Sequence, residues 1–346
     1  MKKIITYVLV CLSLLLLIVA GYLLYLFADY HRLPDKLSQK VNHVAIESQL
    51  SLNRSYTITS FNIGYGSYPA DYTFFMDGGS EVRARSRQNV LDNLQEDVNL
   101  LESLDSDFTL LQEVDKKGDR SRRVNEVSYF QEAFKDQSSL FTQNYDSSYL
   151  FYPVTNPIGQ ATSGLLTLSK FDWEDSTRYQ LPIETNYKKF FDLDRAFSLN
   201  RFTLENGRAL VIVNVHLSAY MDDQTIQKAQ LDTLFNQLKS EIDQGNYIIC
   251  GGDFNHTLAG ESHEELTWMK AFPTEDLPQG LRVVAAQNAA TARTLDEPYQ
   301  EGQSVTGIID GFLVSDNIEE LAIETKDNHF VSSDHNPVQM TFKMEE

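Results

Sequence analysis

The chain has 346 residues, 42% of them hydrophobic and 23% charged, and a formal net charge of -20. This composition excludes bulk disorder, and the length suffices for one large domain or two smaller ones. The acidity argues against tight, static nucleic-acid binding, which rests on cations that neutralise phosphates. Catalysis on phosphates stays open, provided a metal and local cations offset the charge.

In chain order, the first element is an apolar run from Ile4 to Ala28 behind Lys2 and Lys3. A spanning helix needs about 20 such residues, whereas the apolar core of a cleavable signal has about 7–15. No small-x-small cleavage site follows Ala28, so residues 1–28 are read as a retained single-pass anchor, with a cleaved signal as the alternative. The short N-terminal tail puts the rest of the chain on the extracytoplasmic side of the cell membrane. Residues 29–54 read as a stem broken by Pro34, and residues 55–346 as one catalytic domain. Cys11 and Cys250 fall in separate apolar runs, so no disulfide is expected.

From Tyr56 to Ile63 the pattern alternates as in a strand, and Gly64, Gly66 and Pro69 end it. Val90, Leu91, Leu94, Val98 and Leu101 make one stripe of a helix over 86–104, and Phe108 to Leu111 forms a buried strand ending at Gln112-Glu113. The same succession recurs with a strand at Ala209–His216, a helix from Gln224 to Gln244 and a strand from Tyr247 to Gly251. Later strands are expected at Ile308–Val314 and Val338–Phe342. Strands and helices mixed in this way indicate a layered α/β or α+β domain.

Polar residues recur where these strands end: Asn62, Glu113, His216, and Asp253 with Asn255. Asp310 lies within a later strand, and Asp334-His335 precedes the last. Singly, each reads as a turn residue, a solvated carboxylate or a structural histidine. Together they mark one rim, because strand ends of a packed sheet converge. Glu113, Asn62 and Asp334 offer the oxygens that hard cations prefer. Asp253 is suited to take a proton from an attacking water, and Asn255 to orient that water or hold a phosphoryl oxygen. His216 and His335 are suited to donate hydrogen bonds to those oxygens, and Asp310 to fix a histidine tautomer and favour its cation.

Ser60-Phe61-Asn62-Ile63, Leu110-Leu111-Gln112-Glu113-Val114, Asn214-Val215-His216-Leu217, Gly252-Asp253-Phe254-Asn255, Ile309-Asp310-Gly311-Phe312 and Ser333-Asp334-His335-Asn336-Pro337 form an ordered set. With the strand Ser163–Ser169, this set resembles the endonuclease/exonuclease/phosphatase superfamily, which includes DNase I, exonuclease III and bacterial sphingomyelinases. The resemblance implies a DNase I-like four-layer α/β/β/α sandwich. It also implies a metal at Glu113 with Asn62 and Asp334 beside it, and a catalytic set of His216, Asp253, Asn255, Asp310 and His335. The expected activity is hydrolysis of phosphoester bonds with a divalent ion, magnesium first and manganese or calcium as alternatives. A nuclease-like phosphodiesterase leads. A phosphatase, a phospholipid phosphodiesterase and a non-catalytic surface binding protein are the alternatives, and no obligate protein partner is expected.

Two basic clusters bear on the substrate: Arg83, Arg85 and Arg87, then Lys116, Lys117, Arg120, Arg122 and Arg123. They are either solvated faces or a rim that steers anions, and Arg120, Arg122 and Arg123 are the candidate phosphate contacts. Tyr65, Tyr68, Tyr72, Phe74 and Phe75 are read as local packing, with stacking on a base or contact with lipid as the alternative.

Overall fold

The computed structural model describes all residues except 45–49, 174, 191–193, 220–223, 263–265, 267 and 346. Its helices are α1 (Lys2–Asp29), α2 (Arg87–Leu104), α3 (Glu126–Ala133) and α4 (Gln224–Asp243). The strands run β1 (Leu37–Ser38), β2 (Ser55–Asn62), β3 (Phe108–Gly118), β4 (Ser138–Asp146), β5 (Ala161–Ser169), β6 (Asp175–Gln180), β7 (Ala196–Thr203) and β8 (Ala209–His216). They continue with β9 (Tyr247–Asp253), β10 (Leu281–Val284), β11 (Ala292–Arg293), β12 (Thr306–Gly307), β13 (Asp310–Ser315), β14 (Ile318–Thr325) and β15 (Val338–Met344).

Two sheets carry the architecture. One has the order β1-β6-β7-β8-β9-β13-β10 and the other β14-β15-β2-β3-β5-β4. Period-two alternation makes each sheet two-faced. Ile58, Phe108 and Leu110 meet Ile212, Ile249 and Phe312 between the sheets. On the outer face of the first sheet, Val211, Val213, Ile248 and Cys250 pack under Leu231, Leu234 and Leu238 of α4. On the outer face of the second, Leu111, Leu166 and Leu168 pack under Val90, Leu94, Val98 and Leu101 of α2 and Phe130 of α3. The result is the expected helix–sheet–sheet–helix sandwich.

Among the described strands, only β2–β3 and β8–β9 pair in parallel, and each pair is joined across a helix, α2 or α4. Parallel neighbours need such a crossover. Both parallel pairs therefore end at one rim, carrying Asn62, Glu113, His216 and Asp253 with them. Ser86 caps α2 by accepting from the Asn89 N–H, and Asp105 ends the helix in a left-handed conformation.

The expected stem differs from what the chain does. Leu37–Ser38 pairs with the edge strand β6, Asn42 bridges to Ser139, and Val41 and Leu50 join the core between the sheets. Arg32 pairs with Asp194, which also meets Arg178. Sparse apolar residues hid this segment in the sequence. Its binding comes from backbone groups that an open sheet edge leaves unpaired and from one ion-pair cluster. Cys11 and Cys250 are both free.

Candidate active site

The rim of the parallel strands lies at the bottom of a cavity of about 770 Å³ whose lining includes Glu113, His216, Asp253, Asn255 and Asp334. Local backbone features aim these side chains. Glu113 has φ 57° and sits in the irregularity of β3 between Leu111 and Val114, which turns its carboxylate out of the ladder. Asn255 has φ 48°, and its N–H donates to Asp253 Oδ1 at 2.8 Å. Gly252 is required beside Asp253, because a Cβ there would lie 1.9 Å from the Val215 carbonyl oxygen. Gly64, at φ 53°, lets the loop after Asn62 approach Asp334.

The hydrogen bonds link the two sheets. Asn62 Nδ2 donates to Asp253 Oδ2 at 3.0 Å and lies 3.4 Å from His335 Nε2, while its Oδ1 accepts from the Gly64 N–H. His335 Nδ1 donates to Asp310 Oδ2 at 2.8 Å. His216 Nε2 lies 3.4 Å from Asp253 Oδ2 and 3.7 Å from Glu113 Oε1. Beneath them, Gln112 Nε2 donates to Asn214 Oδ1 at 2.9 Å.

Burial and neighbouring charge set opposite states for the two histidines. Burial, then the charges of Arg195 and His335, hold His216 well below its ordinary value, so this ring is neutral. Burial also opposes a charge on His335, but Asp310, Asp253 and Asp334 outweigh it and hold that ring well above its ordinary value. Asp253 is pushed up to about 7 by burial and then by the Asp310 charge. Burial raises Glu113, with Asp334 adding to it, and burial also raises Asp334.

Asp253, Asp310 and His335 bring one donor atom each within 4.8 Å of one another. That closeness is explained by the Asp310–His335 hydrogen bond and the charge of the ring. The donor set that fits a hard cation is Glu113 with Asp334, two half-buried carboxylates that line one cavity and repel each other. Asn62 Oδ1 keeps one lone pair beyond its bond to Gly64.

The candidate cations divide. Arg120 lines the cavity, lies 3.2 Å from the centroid of the Tyr65 ring and pairs with Asp115 at 2.9 Å. Arg122 and Arg123 are not among the lining residues: Arg122 donates to the Ala84 carbonyl and Arg123 pairs with Asp119. Their own turn consumes them, which corrects the expectation that they contact phosphate. Arg85 likewise pairs with Glu81 and Asp71. The cavity instead recruits Arg195, Arg293 and Lys188, none of which belongs to a recognisable motif. Arg195 donates to the His216 carbonyl at 3.3 Å, and Arg293 donates to the Pro69 carbonyl at 2.8 Å. Tyr65, Tyr68 and Tyr72 are packed together with Leu295, as expected, while Tyr65, Tyr68, Phe74 and Phe75 also line the cavity.

A model of the endonuclease/exonuclease/phosphatase family matches residues 59–335. The chain belongs to this family. Its members are generally hydrolytic on phosphoester bonds and typically depend on a divalent metal. Solved structures share the fold at low identity. An endonuclease/exonuclease/phosphatase from Beutenbergia cavernae DSM 12333 is 15% identical with a TM-score of 0.61, the match covering 85% of this chain and 72% of that one. A family member from Bacteroides vulgatus is 15% identical with a TM-score of 0.56, covering 85% and 100%. TDP2 from D. rerio, complexed with a single strand DNA product, is 16% identical with a TM-score of 0.53, covering 84% and 100%. No curated protein matches the chain.

Proposed function

We propose that this protein is a membrane-anchored, metal-dependent phosphodiesterase that attacks phosphorus with water. The observation that carries the reading is one cavity lined by Glu113, Asp334, a neutral His216 and an Asp253 poised near neutrality, with the charged His335 ring next to it at 3.7 Å from Asp253. A general base works best when its pKa lies near the operating pH. Glu113 and Asp334, with Asn62 beside them, would hold a divalent ion, magnesium first. When bound, that ion supplies charge neutralisation at the phosphoryl oxygens.

The side chains account for the rest. Asp253 takes a proton from the attacking water, held in line by Asn62 and the Asn255 N–H. The water oxygen bonds to phosphorus as the bond to the departing oxygen breaks, and solvent reprotonates that oxygen. The His335 ring, fixed by Asp310, donates to a non-bridging oxygen as negative charge builds up. His216 donates from the opposite side without adding a full charge. Asn255 orients the water or a phosphoryl oxygen. Arg120 is the proposed phosphate contact from the second basic cluster, since it lines the cavity.

The test is a parallel assay of the purified chain with magnesium on DNA, RNA, phospholipid vesicles and a chromogenic phosphodiester. Turnover of at least one diester, abolished by chelator, is expected. Undiminished turnover in excess chelator excludes the metal. The anchor rests on α1, which is long and apolar enough to cross a membrane. Fractionation with N-terminal sequencing tests it, and a soluble mature chain starting near residue 30 overturns it. The extracytoplasmic placement of the domain is tested by protease protection in spheroplasts.

A further inference from the structure

We infer that the loops around the cavity mouth form an aromatic collar seated in the membrane that holds α1. The cavity then opens onto the bilayer surface and takes a phosphoester borne by a lipid headgroup. The inference rests on the anchored-phosphodiesterase reading and deepens it.

The first observation is how α1 ends. Its 28 residues reach about 42 Å, while the hydrocarbon core of a bilayer is about 30 Å thick. With Lys2 and Lys3 at one surface, the helix leaves the hydrocarbon near Tyr22 and Tyr25. Those two residues hold the loop beyond β4. Tyr22 Oη donates to the Tyr149 carbonyl at 3.1 Å, and the Tyr149 N–H donates to Tyr25 Oη at 2.9 Å. One turn further on, Ser148 Oγ donates to Asp29 at 2.7 Å. Leu26 is buried against Leu150 and Phe190, and Phe27 meets Phe190 edge-on at 4.9 Å. The loop is thus tied to the part of the helix that lies at the level of the lipid headgroups.

The second observation is where apolar surface is exposed. Among the described residues beyond residue 30, the exposed large apolar side chains are Met76, Phe151, Tyr152, Val154, Tyr187, Val305, Leu321 and Val331. Met76 and Tyr152 line the cavity, Phe151 touches α1, Tyr187 adjoins the lining residue Lys188, and Val154 belongs to the Phe151–Tyr152 loop that Leu150 and Gly159 close. Phe151 packs edge-on against Tyr22 at 5.5 Å, and Tyr152 lies 5.7 Å from Phe75. Tyr187 belongs to the short turn that carries Phe190. Such a patch is costly in water, and aromatic side chains favour the membrane–water interface.

The third observation joins collar to chemistry. Leu150, Tyr152, Phe75 and Met76 line the same cavity as Glu113 and Asp253. An apolar wall therefore descends from the membrane side to the reacting groups.

The test uses the 346-residue chain in vesicles that contain brominated lipid, with Leu16→Trp, Val154→Trp or Leu321→Trp introduced singly. Trp173 and Trp268 are buried and give a constant background. Quenching of the tryptophans at 16 and 154, but not at 321, is expected. Quenching at 16 alone overturns the collar and leaves the anchor standing. Loss of quenching at 16 overturns the anchor and the collar with it. Neither optical result depends on activity. In phosphatidylglycerol, phosphatidylcholine and sphingomyelin vesicles, Phe151→Ser/Val154→Ser should cut headgroup release at least about tenfold and leave turnover of a soluble chromogenic diester unchanged. Equal losses on both substrates, or intact lipid turnover, overturn the proposal. Inert headgroups beside an active soluble diester overturn the lipid substrate and spare the phosphodiesterase, whereas inactivity on both sinks the underlying reading.

Discussion

The two halves of the sandwich are built alike and equipped differently. β2–α2–β3 and β8–α4–β9 are both parallel pairs crossed by a helix, and both deliver polar groups to the same rim. The first half contributes Asn62 and Glu113, an amide and a carboxylate proposed to hold a cation. The second contributes His216 and Asp253, a neutral ring and a carboxylate with a pKa of about 7, proposed to handle protons. Equivalent positions in one architecture can thus be given separate tasks, because the strand ends fix location while side-chain chemistry and burial fix the protonation state. The hydrogen bond from Asn62 to Asp253 couples the halves.

The largest expected effect lies on the proton-handling side. Asp253→Asn removes the base, keeps the shape and the bond from the Asn255 N–H, and should lower turnover by about 10³-fold with little change in Tm. Wild-type turnover in that variant would reassign the base. Glu113→Gln attacks the other half. Turnover should fall by about a hundredfold, and the magnesium concentration for half-maximal rate should rise, as read by a metal titration. A drop in rate at unchanged metal demand would move Glu113 out of the ion's coordination.

His335 bridges the halves, touching Asp310 by one nitrogen and facing Asp253 by the other. His335→Ala should cost about 10²- to 10³-fold in turnover, and Asp310→Asn should cost less. Their combination should cost far less than the product of the separate losses, because the pair acts as a unit. Fully multiplicative losses in that double-mutant cycle would falsify the dyad.

The smallest effect concerns the two helices. The buried carboxylate of α4, Glu241, pairs with Arg201 at 2.6 Å, whereas that of α2, Asp97, has among the described residues only the Ser332 hydroxyl. Burial pushes Asp97 up to about 8, against the bond from Ser332 that favours its charged form. A carboxyl raised on folding adds stability that is full below its unfolded pKa, near 4, and is lost as pH rises through 8. Asp97→Asn should therefore flatten the fall in Tm between pH 5 and 8, by roughly a few degrees for a domain this size. An unchanged slope would show that Asp97 is ionised throughout.

Much of the catalytic floor was legible before the fold. β2 alternates, β3 opens on a short apolar run and β8 and β9 are largely apolar, and Asn62, Glu113, His216 and Asp253 interrupt or end them, so short-range pattern located both strand and side chain. α2 and α4 followed from helical stripes. The edge strands β4 and β14, and β6 with only the two-residue β1 outside it, were not legible: Ser138–Asp146 and Asp175–Gln180 are rich in polar residues, because strands at or near an edge are held by ladder bonds rather than by apolar burial. For the same reason residues 29–54 read as a stem. Arg122 and Arg123 looked equivalent to Arg120, since charge in a sequence does not reveal that a turn has already used it.

While the layer order was only implied by the family resemblance, the sequence by itself determined the two strand–helix–strand units, the apolar N-terminal helix and the eight polar residues of the rim. Each of these rests on periodicity or on a motif within a few neighbouring positions. Only the tertiary structure decided which histidine is charged, which arginines face the cavity and where the end of α1 lies relative to the mouth. A proton's position depends on Asp310 reaching His335, 25 positions away in sequence, and the mouth depends on Tyr22 meeting Tyr149. Such pairings are set by how the sheets and loops close in space, and local pattern carries no record of them.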